Sequence, residues 1–238
     1  MEKNSSRIAI VFGSRNRPHR LETFVRSFHE LADAPSSFKI YVYIDEDDIS
    51  TIDHSHNLKE KYEQLFFHIG PRIIMSDMPN KLYPYTHEDI IFIGADDLVM
   101  RTQGWDSIII EAYKEYEDKI LLCYGKDGGE RVHTQKNFAT HPIISKKWVD
   151  IQGYITPPYF SADYADTWLN DLANDLGRKK ELPIYNEHMH WSLGKSTLDI
   201  TYYENRQRFE KDNIIKKYED TKEERQMVFN RLKKALVC

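Results

Sequence analysis

Two adjacent carboxylates, Asp96 and Asp97, follow an apolar run, Ile90 to Ile93, across a small-residue step, Gly94-Ala95. A buried strand ending in paired acids can hold a divalent cation, because open α/β sheets bind ligands just beyond the carboxyl ends of their strands. Hard cations such as magnesium or manganese take carboxylate oxygens and often share them with substrate phosphates. The same pair also reads as a turn or a helix cap. Other apolar runs end in similar chemistry. Ser14, Arg15, Arg17 and Arg20 follow the first run, and Asp45 to Asp48 close the second. A later loop carries Asp163 and Asp166 into a helix, and Glu187-His-Met-His190 closes the last run. Arginines suit phosphate, histidine suits a metal, and a carboxylate near a hydroxyl can take its proton.

The elements that must position these groups follow from apolar spacing. Residues 7–13, 38–44, 72–75, 89–93, 119–124, 138–144 and 181–185 read as strands. Pro18 suits a first helical position, and Leu21, Phe24, Val25, Phe28 and Leu31 share one helical face. Leu58, Tyr62, Leu65 and Phe66 mark a second helix. A third starts near Gly104-Trp105-Asp106, residues 146–151 form a short one, and residues 166–176 align Trp168, Leu169, Leu172 and Leu176. Trp105 and Trp168 read as core. Tyr154, Tyr159, Phe160 and Tyr164 either pack the 153–165 loop or line a ligand pocket. From Thr221 a helix opens on a Thr-x-x-Glu capping box with an apolar stripe of Val228, Leu232, Ala235 and Leu236. Alternating strands and helices predict a mostly parallel sheet wrapped by helices. Right-handed crossovers put the strand ends on one rim.

The chain has 238 residues and a net charge of -5. Ten Lys and Arg against seven Asp and Glu in residues 204–238 give +3, which leaves -8 for residues 1–203. An acidic body does not attract polyanions nonspecifically. No apolar run approaches the roughly 20 residues that span a bilayer, and the polar Met1 to Ser6 predicts no signal peptide. Cys123 lies in an apolar run and Cys238 ends the chain, which predicts a reducing, cytoplasmic setting without a disulfide framework. No repeat or flexible linker interrupts the chain, so residues 1–205 read as one domain and 206–238 as a helical extension. That extension packs on the body or on a second subunit, making a homo-oligomer.

The order of these motifs resembles the GT-A glycosyltransferases, especially small family-2-like enzymes of phages and bacteria. The phrases that carry the resemblance are G-A-D-D-L-V-M-R-T-Q-G-W-D from Gly94, T-H-P-I-I-S from Thr140, D-T-W-L-N-D-L from Asp166, and E-H-M-H from Glu187, with Gly194-Lys195 and Asp199 downstream. The resemblance covers about residues 6–205. It implies a Rossmann-like α/β fold and an inverting transfer of sugar from a nucleoside-diphosphate sugar, first of all a UDP sugar, to an acceptor hydroxyl. It implies Mn2+ or Mg2+ as cofactor.

Carried over, Asp45 matches the acid that contacts the nucleobase. Asp97, with Asp96 beside it, matches the metal motif, here A-D-D where the family has D-x-D. Asp166 matches the catalytic base, with Asp163 an alternative because the motif reads Y-A-D rather than x-E-D. His188 matches a late metal ligand, with His190 its alternative. Ser14, Arg15 and Arg17 join the donor site, and Arg20 is a further phosphate or loop contact. The acceptor stays open among a modified base of phage DNA, a glycan, a protein and a small molecule. Two other readings are a nucleotidyltransferase, for which Gly13-Ser-Arg-Asn-Arg is a thin phosphate loop, and a non-catalytic module that binds sugar nucleotides or nucleic acid.

Overall fold

The computed structural model describes residues 7–128 and 137–236; Met1 to Ser6 and Cys238, used above, lie outside them. The chain opens with β1 (Ile8–Ser14), α1 (Pro18–Glu30), β2 (Phe38–Asp45), α2 (Ile49–Lys61), β3 (Leu65–Gly70) and α3 (Asp77–Leu82). It continues through β4 (Ile90–Ile93), β5 (Leu98–Met100), α4 (Trp105–Lys114), β6 (Leu122–Lys126), β7 (Ile143–Ser145) and α5 (Lys146–Gln152). Then come α6 (Ala165–Leu176), β8 (Lys179–His188), α7 (Ile200–Lys211), α8 (Ile214–Asp220) and α9 (Lys222–Lys234).

The sheet order is β3-β2-β1-β4-β7-β6-β8-β5. The first four strands are parallel neighbours. β7 runs against both β4 and β6. β8 is parallel to β6, and β5 is antiparallel to β8. β1, β2, β3, β4, β6 and β8 therefore point the same way, and their carboxyl ends share one rim. The expected α/β architecture, a mostly parallel sheet with flanking helices and helices at the C-terminus, is what the chain forms.

Alternate side chains of the central strands feed two cores. Ile8, Ile10, Phe12, Ile40 and Val42 meet α1 and α4 through Leu21, Phe24, Phe28, Trp105 and Ile109. Ala9, Val11, Tyr41 and Tyr43 lie on the other face with Leu82, Trp148, Trp168, Val228 and Leu232. Burial on both faces explains why β1 and β2 read as continuous apolar runs. Trp105 and Trp168 are core, as expected. The α9 stripe is also used within the chain: α9 packs on α5 and α6, and Val228 and Leu232 are fully buried.

Several elements differ from the sequence reading. The third strand is Leu65–Gly70, in register with β2 from Ile40↔Leu65 to Asp45↔Gly70, and not residues 72–75. β2 ends at Asp45, and Pro71 has no N–H to extend the ladder. Leu65 and Phe66 accordingly belong to β3, and α2 stops at Lys61. The 138–144 strand shortens to Ile143–Ser145. The Thr221 capping box does not form, because Thr221 Oγ1 donates back to Lys217 O and Tyr218 O, while Glu224 is drawn to the Tyr159 hydroxyl. α3, β5, α7 and α8 are not among the elements expected from the sequence.

Asp106 ties α4 to the loop before β2. Its carboxylate accepts from Asp33 N at 2.8 Å, Ala34 N at 3.1 Å and Ser37 Oγ at 2.7 Å, and it is buried. Asp106→Ala strands these donors, so we expect a loss of about 2–4 kcal/mol in urea unfolding. A variant as stable as wild type would show that water replaces the carboxylate without cost.

Candidate active site

Beyond β4 the chain turns through Gly94, whose N–H is held by Val11 O at 3.1 Å. A Cβ there would press on Ile10 and Phe12 at 3.3 Å, so the small residue lets the turn sit tightly against β1. The turn delivers Asp96 and Asp97, each 5% exposed. Asp96 Oδ2 accepts from Ser14 Oγ at 2.9 Å, and Oδ1 from Arg17 Nη1 at 3.0 Å. Asp97 Oδ2 accepts from the Tyr202 hydroxyl at 2.7 Å and stands 3.2 Å from His188 Nε2. Asp97 Oδ1 is buried without a hydrogen-bond partner.

The Asp97–His188 approach is a consequence of strand register. β5 pairs antiparallel with β8 so that Leu98 faces His188, and Met189 N donates to Asp97 O at 2.8 Å. The His188 ring meets His141 edge-on at 4.8 Å between centroids. His190 Nδ1 lies 2.7 Å from Ser192 Oγ, and its ring packs on Tyr202 at 4.6 Å. The structure thus brings His188 to Asp97 and turns His190 toward Ser192 and Tyr202.

Asp45, at the end of β2, is 1% exposed. Its Oδ2 accepts from Arg15 Nη1 at 3.0 Å, Arg72 Nε lies 4.0 Å away, and its Oδ1 is buried and unpartnered. Arg15 also donates to Asp47. Asp48 caps α2 through Thr51 N at 3.1 Å and accepts from Asn16 N at 2.6 Å, so the polar loop after β1 is fastened to the end of β2.

The two later acids differ. Asp163 is half exposed and accepts from Arg206 Nη2 at 2.6 Å. Asp166 lies in the first turn of α6, where its Oδ1 accepts from Thr167 N at 2.8 Å. Between them Tyr164 takes a left-handed φ of 83°, uncommon for a bulky residue and often found at functional sites. Asn170 Nδ2 donates to both Asp166 O and Ala139 O at 2.9 Å. That bond links the start of α6 to the segment carrying His141, which meets His188, which meets Asp97. Phe160 is fully buried, and Tyr154, Tyr159 and Tyr164 pack against the same core.

Burial pushes the Asp96 carboxyl up to about 6, with Arg17 opposing the rise and Asp97 adding to it. Burial also works to raise Asp97, but the His188 hydrogen bond, His141 and Tyr202 outweigh it and hold Asp97 well below the usual carboxylate range. Burial keeps Asp45 above its ordinary value against Arg15 and Arg72. One buried pair therefore contains a firmly ionised acid beside one that gives up its proton less readily. A cleft of about 600 Å³ opens beside the pair, with Arg20, Arg101, Met189 and Lys195 in its wall; that size suits a small ligand.

Among the described residues no group of three or more His, Cys, Asp or Glu side chains is arranged to hold a metal ion. Asp97 and His188 nevertheless offer two donors, and the orphaned Asp97 Oδ1 lacks a partner that a cation would be. This donor set fits a cation that takes its other ligands from phosphate and water.

No protein-family model matches the chain, and no curated protein matches it in sequence. Solved structures do match it in shape. The mannosyltransferase PcManGT from Pyrobaculum calidifontis, solved with GDP-Man and Mn2+, superposes with a TM-score of 0.64 at 10% identity over 97% of this chain and 70% of that one. Residues 1–349 of S. aureus TarS in complex with UDP-GlcNAc give 0.59 at 12% identity over 83% of this chain and 64% of that one. Another TarS 1–349 structure gives 0.56 at 11% identity over 76% and 60%. The chain has a GT-A glycosyltransferase fold. It spans about 60% of the length of that last TarS chain. No helix among the described residues is long and apolar enough to cross a membrane.

Sequence reasoning missed Tyr202 and His141 as parts of the site. Asp199 caps α7 by accepting Tyr202 N at 3.0 Å, so Leu198-Asp199-Ile200 carried a readable helix start. His141 stands inside the T-H-P-I-I-S phrase but no role is attached to it there, because only the β4–β7–β6 pairing brings its segment to the rim.

Proposed function

We propose that this chain is a metal-dependent, inverting glycosyltransferase that moves a sugar from a nucleoside-diphosphate sugar to an acceptor hydroxyl. The observation that carries the reading is the rim itself: buried Asp96 and Asp97 at the end of β4, His188 at the end of β8 and Asp45 at the end of β2. A shared fold with proteins solved with GDP-Man and Mn2+, or with UDP-GlcNAc, supports a nucleotide sugar as the donor. A UDP sugar is the donor we propose first, carried by the family resemblance.

Asp97 and His188 would hold the metal, and a mixed carboxylate–imidazole pair suits Mn2+ better than Mg2+. Bound there, the cation would offset the charge that develops on the departing diphosphate. Asp45 receives the nucleobase end of the donor. Arg15, bonded to Asp45, and Ser14 and Arg17, both bonded to Asp96, would meet the rest of the donor, with the guanidiniums suited to phosphate oxygens. Asp166 takes the proton of the acceptor hydroxyl as that oxygen attacks the anomeric carbon, and Asp163 orients the segment through Arg206. The test is a panel of UDP and GDP sugars, each with and without Mn2+, scored for sugar release in the presence of glycan, nucleic acid and small hydroxyl acceptors. Nucleotide-sugar turnover that needs no metal, or none with any donor, would overturn the reading.

Asp45 also makes a separable prediction. Asp45→Ala should weaken UDP or GDP binding by about 10- to 100-fold, the worth of a hydrogen bond to a buried charged group. The Mn2+ requirement should persist. A donor-bound structure with the base far from β2 would refute the assignment.

A further inference from the structure

The start of α7 engages the very groups that a donor would need. Asp199 accepts from Arg17 Nε and Nη2, both at 2.9 Å, and Arg20 Nη2 lies 3.4 Å from it. Tyr202 donates to Asp97 at 2.7 Å and accepts from Arg20 Nη1 at 2.7 Å. The Arg17 guanidinium lies over the Tyr202 ring, 3.9 Å from its centroid, and its remaining nitrogen reaches Asp96. Thr201 Oγ1 donates to Arg15 O at 3.0 Å, and Glu204 pairs with Arg72. One helix thus turns the cations of the rim onto the chain's own acids.

The substitution is chemically matched. Arg17 brings its positive charge to Asp96, the acid next to the proposed metal ligand Asp97. Asp199 brings to Arg17 and Arg20 the negative charge that a diphosphate would bring. The Tyr202 hydroxyl holds the Asp97 oxygen nearest His188. A metal-bound diphosphate cannot make these contacts while α7 makes them.

We propose that the start of α7, Asp199 to Tyr202, is an intramolecular strap that takes the place of the metal-bound diphosphate and lifts when the donor binds. This rests on the donor reading above. The strap is built to lift. Within α7 Tyr202 alone is buried, and Ile200 and Tyr203 are more than half exposed. Phe209 anchors the far end of α7 on the core beside Tyr164, whereas its start is held mainly by polar bonds, so that start opens at small cost compared with the core. Apparent donor affinity is then the intrinsic affinity multiplied by the fraction of molecules with the strap open.

Two conservative changes weaken the strap. Asp199→Asn keeps an acceptor for the Tyr202 amide and removes the charge facing Arg17 and Arg20. Tyr202→Phe keeps the ring under Arg17 and removes the hydroxyl on Asp97. Calorimetry with Mn2+ alone, and with UDP or GDP plus Mn2+, is compared across wild type and both variants, and hydrogen exchange is followed over residues 200–211. Each variant should bind nucleotide with Mn2+ about tenfold more tightly, since each loses a charge-assisted bond. In wild type the amides of 200–211 should exchange faster once nucleotide is bound. Variants that bind no more tightly than wild type would overturn the strap while leaving the donor reading intact. Greater protection of 200–211 with nucleotide would do the same, making α7 a lid that closes on the donor. If neither Mn2+ nor nucleotide binds wild type or either folded variant, the strap and the donor reading fall together.

Discussion

Asp166→Asn should lower turnover by about 100- to 10,000-fold, the usual worth of a positioned general base, with donor affinity unchanged. The amide keeps the size of the side chain and an oxygen for the Thr167 N–H, now bonded at 2.8 Å, so α6 should start as before. What disappears is the basic oxygen. Asp163→Asn is the control. Asp163 sits in a half-exposed pair with Arg206, and such pairs contribute roughly 0–1 kcal/mol, so this variant should lose little rate. Steady-state kinetics on both variants separates the carboxylates. A dead Asp163→Asn enzyme beside a near-normal Asp166→Asn enzyme would move the base to Asp163. Two active variants would remove the inverting mechanism, and the anomeric configuration of the product would then decide the reaction class.

Asp97→Asn should reduce Mn2+-supported nucleotide binding by more than about 100-fold, since loss of mere supporting contacts around a metal already costs 10- to 100-fold. Asparagine is the informative replacement. It leaves an acceptor for the Tyr202 hydroxyl, whereas alanine would strand both Tyr202 and His188 in a buried site. The change therefore removes charge without opening a cavity, and thermal unfolding should stay close to wild type. Calorimetry in which the Asp97→Asn variant binds UDP or GDP with Mn2+ as wild type does would rule out Asp97 as the ligand. An Asp96→Asn variant gives the contrast. Asp96 is already engaged by Ser14 and Arg17, so its loss should alter donor binding with less effect on the metal requirement.

Much of the rim was legible before the structure, for a physical reason. Strands buried on both faces must be apolar throughout, so β1, β2 and β4 stand out as runs, and the polar residues that end them mark where each strand leaves the core. Ser14, Asp45 and the Asp96–Asp97 pair were found that way. β3 was misplaced because Leu65 and Phe66 fit a helical spacing with Leu58 and Tyr62 as well as a strand, and only pairing with β2 breaks the tie. β5 is three residues long, too short for any periodicity to show.

The sequence by itself determined the α/β class, the acids at the strand ends and the helix that Asp166 enters, since each follows from contacts among near neighbours or from burial that marks every residue of a run. Only the tertiary structure decided which histidine meets Asp97. That choice depends on Leu98 facing His188 across a pairing of strands about 90 residues apart. Only the tertiary structure placed α7 over the rim. α7 is polar on most of its surface and is held by ion pairs to Arg17, Arg20 and Arg72. Such contacts leave no hydrophobic period in the sequence, because a charged side chain finds its partner through the fold of the whole chain rather than through its spacing along one helix.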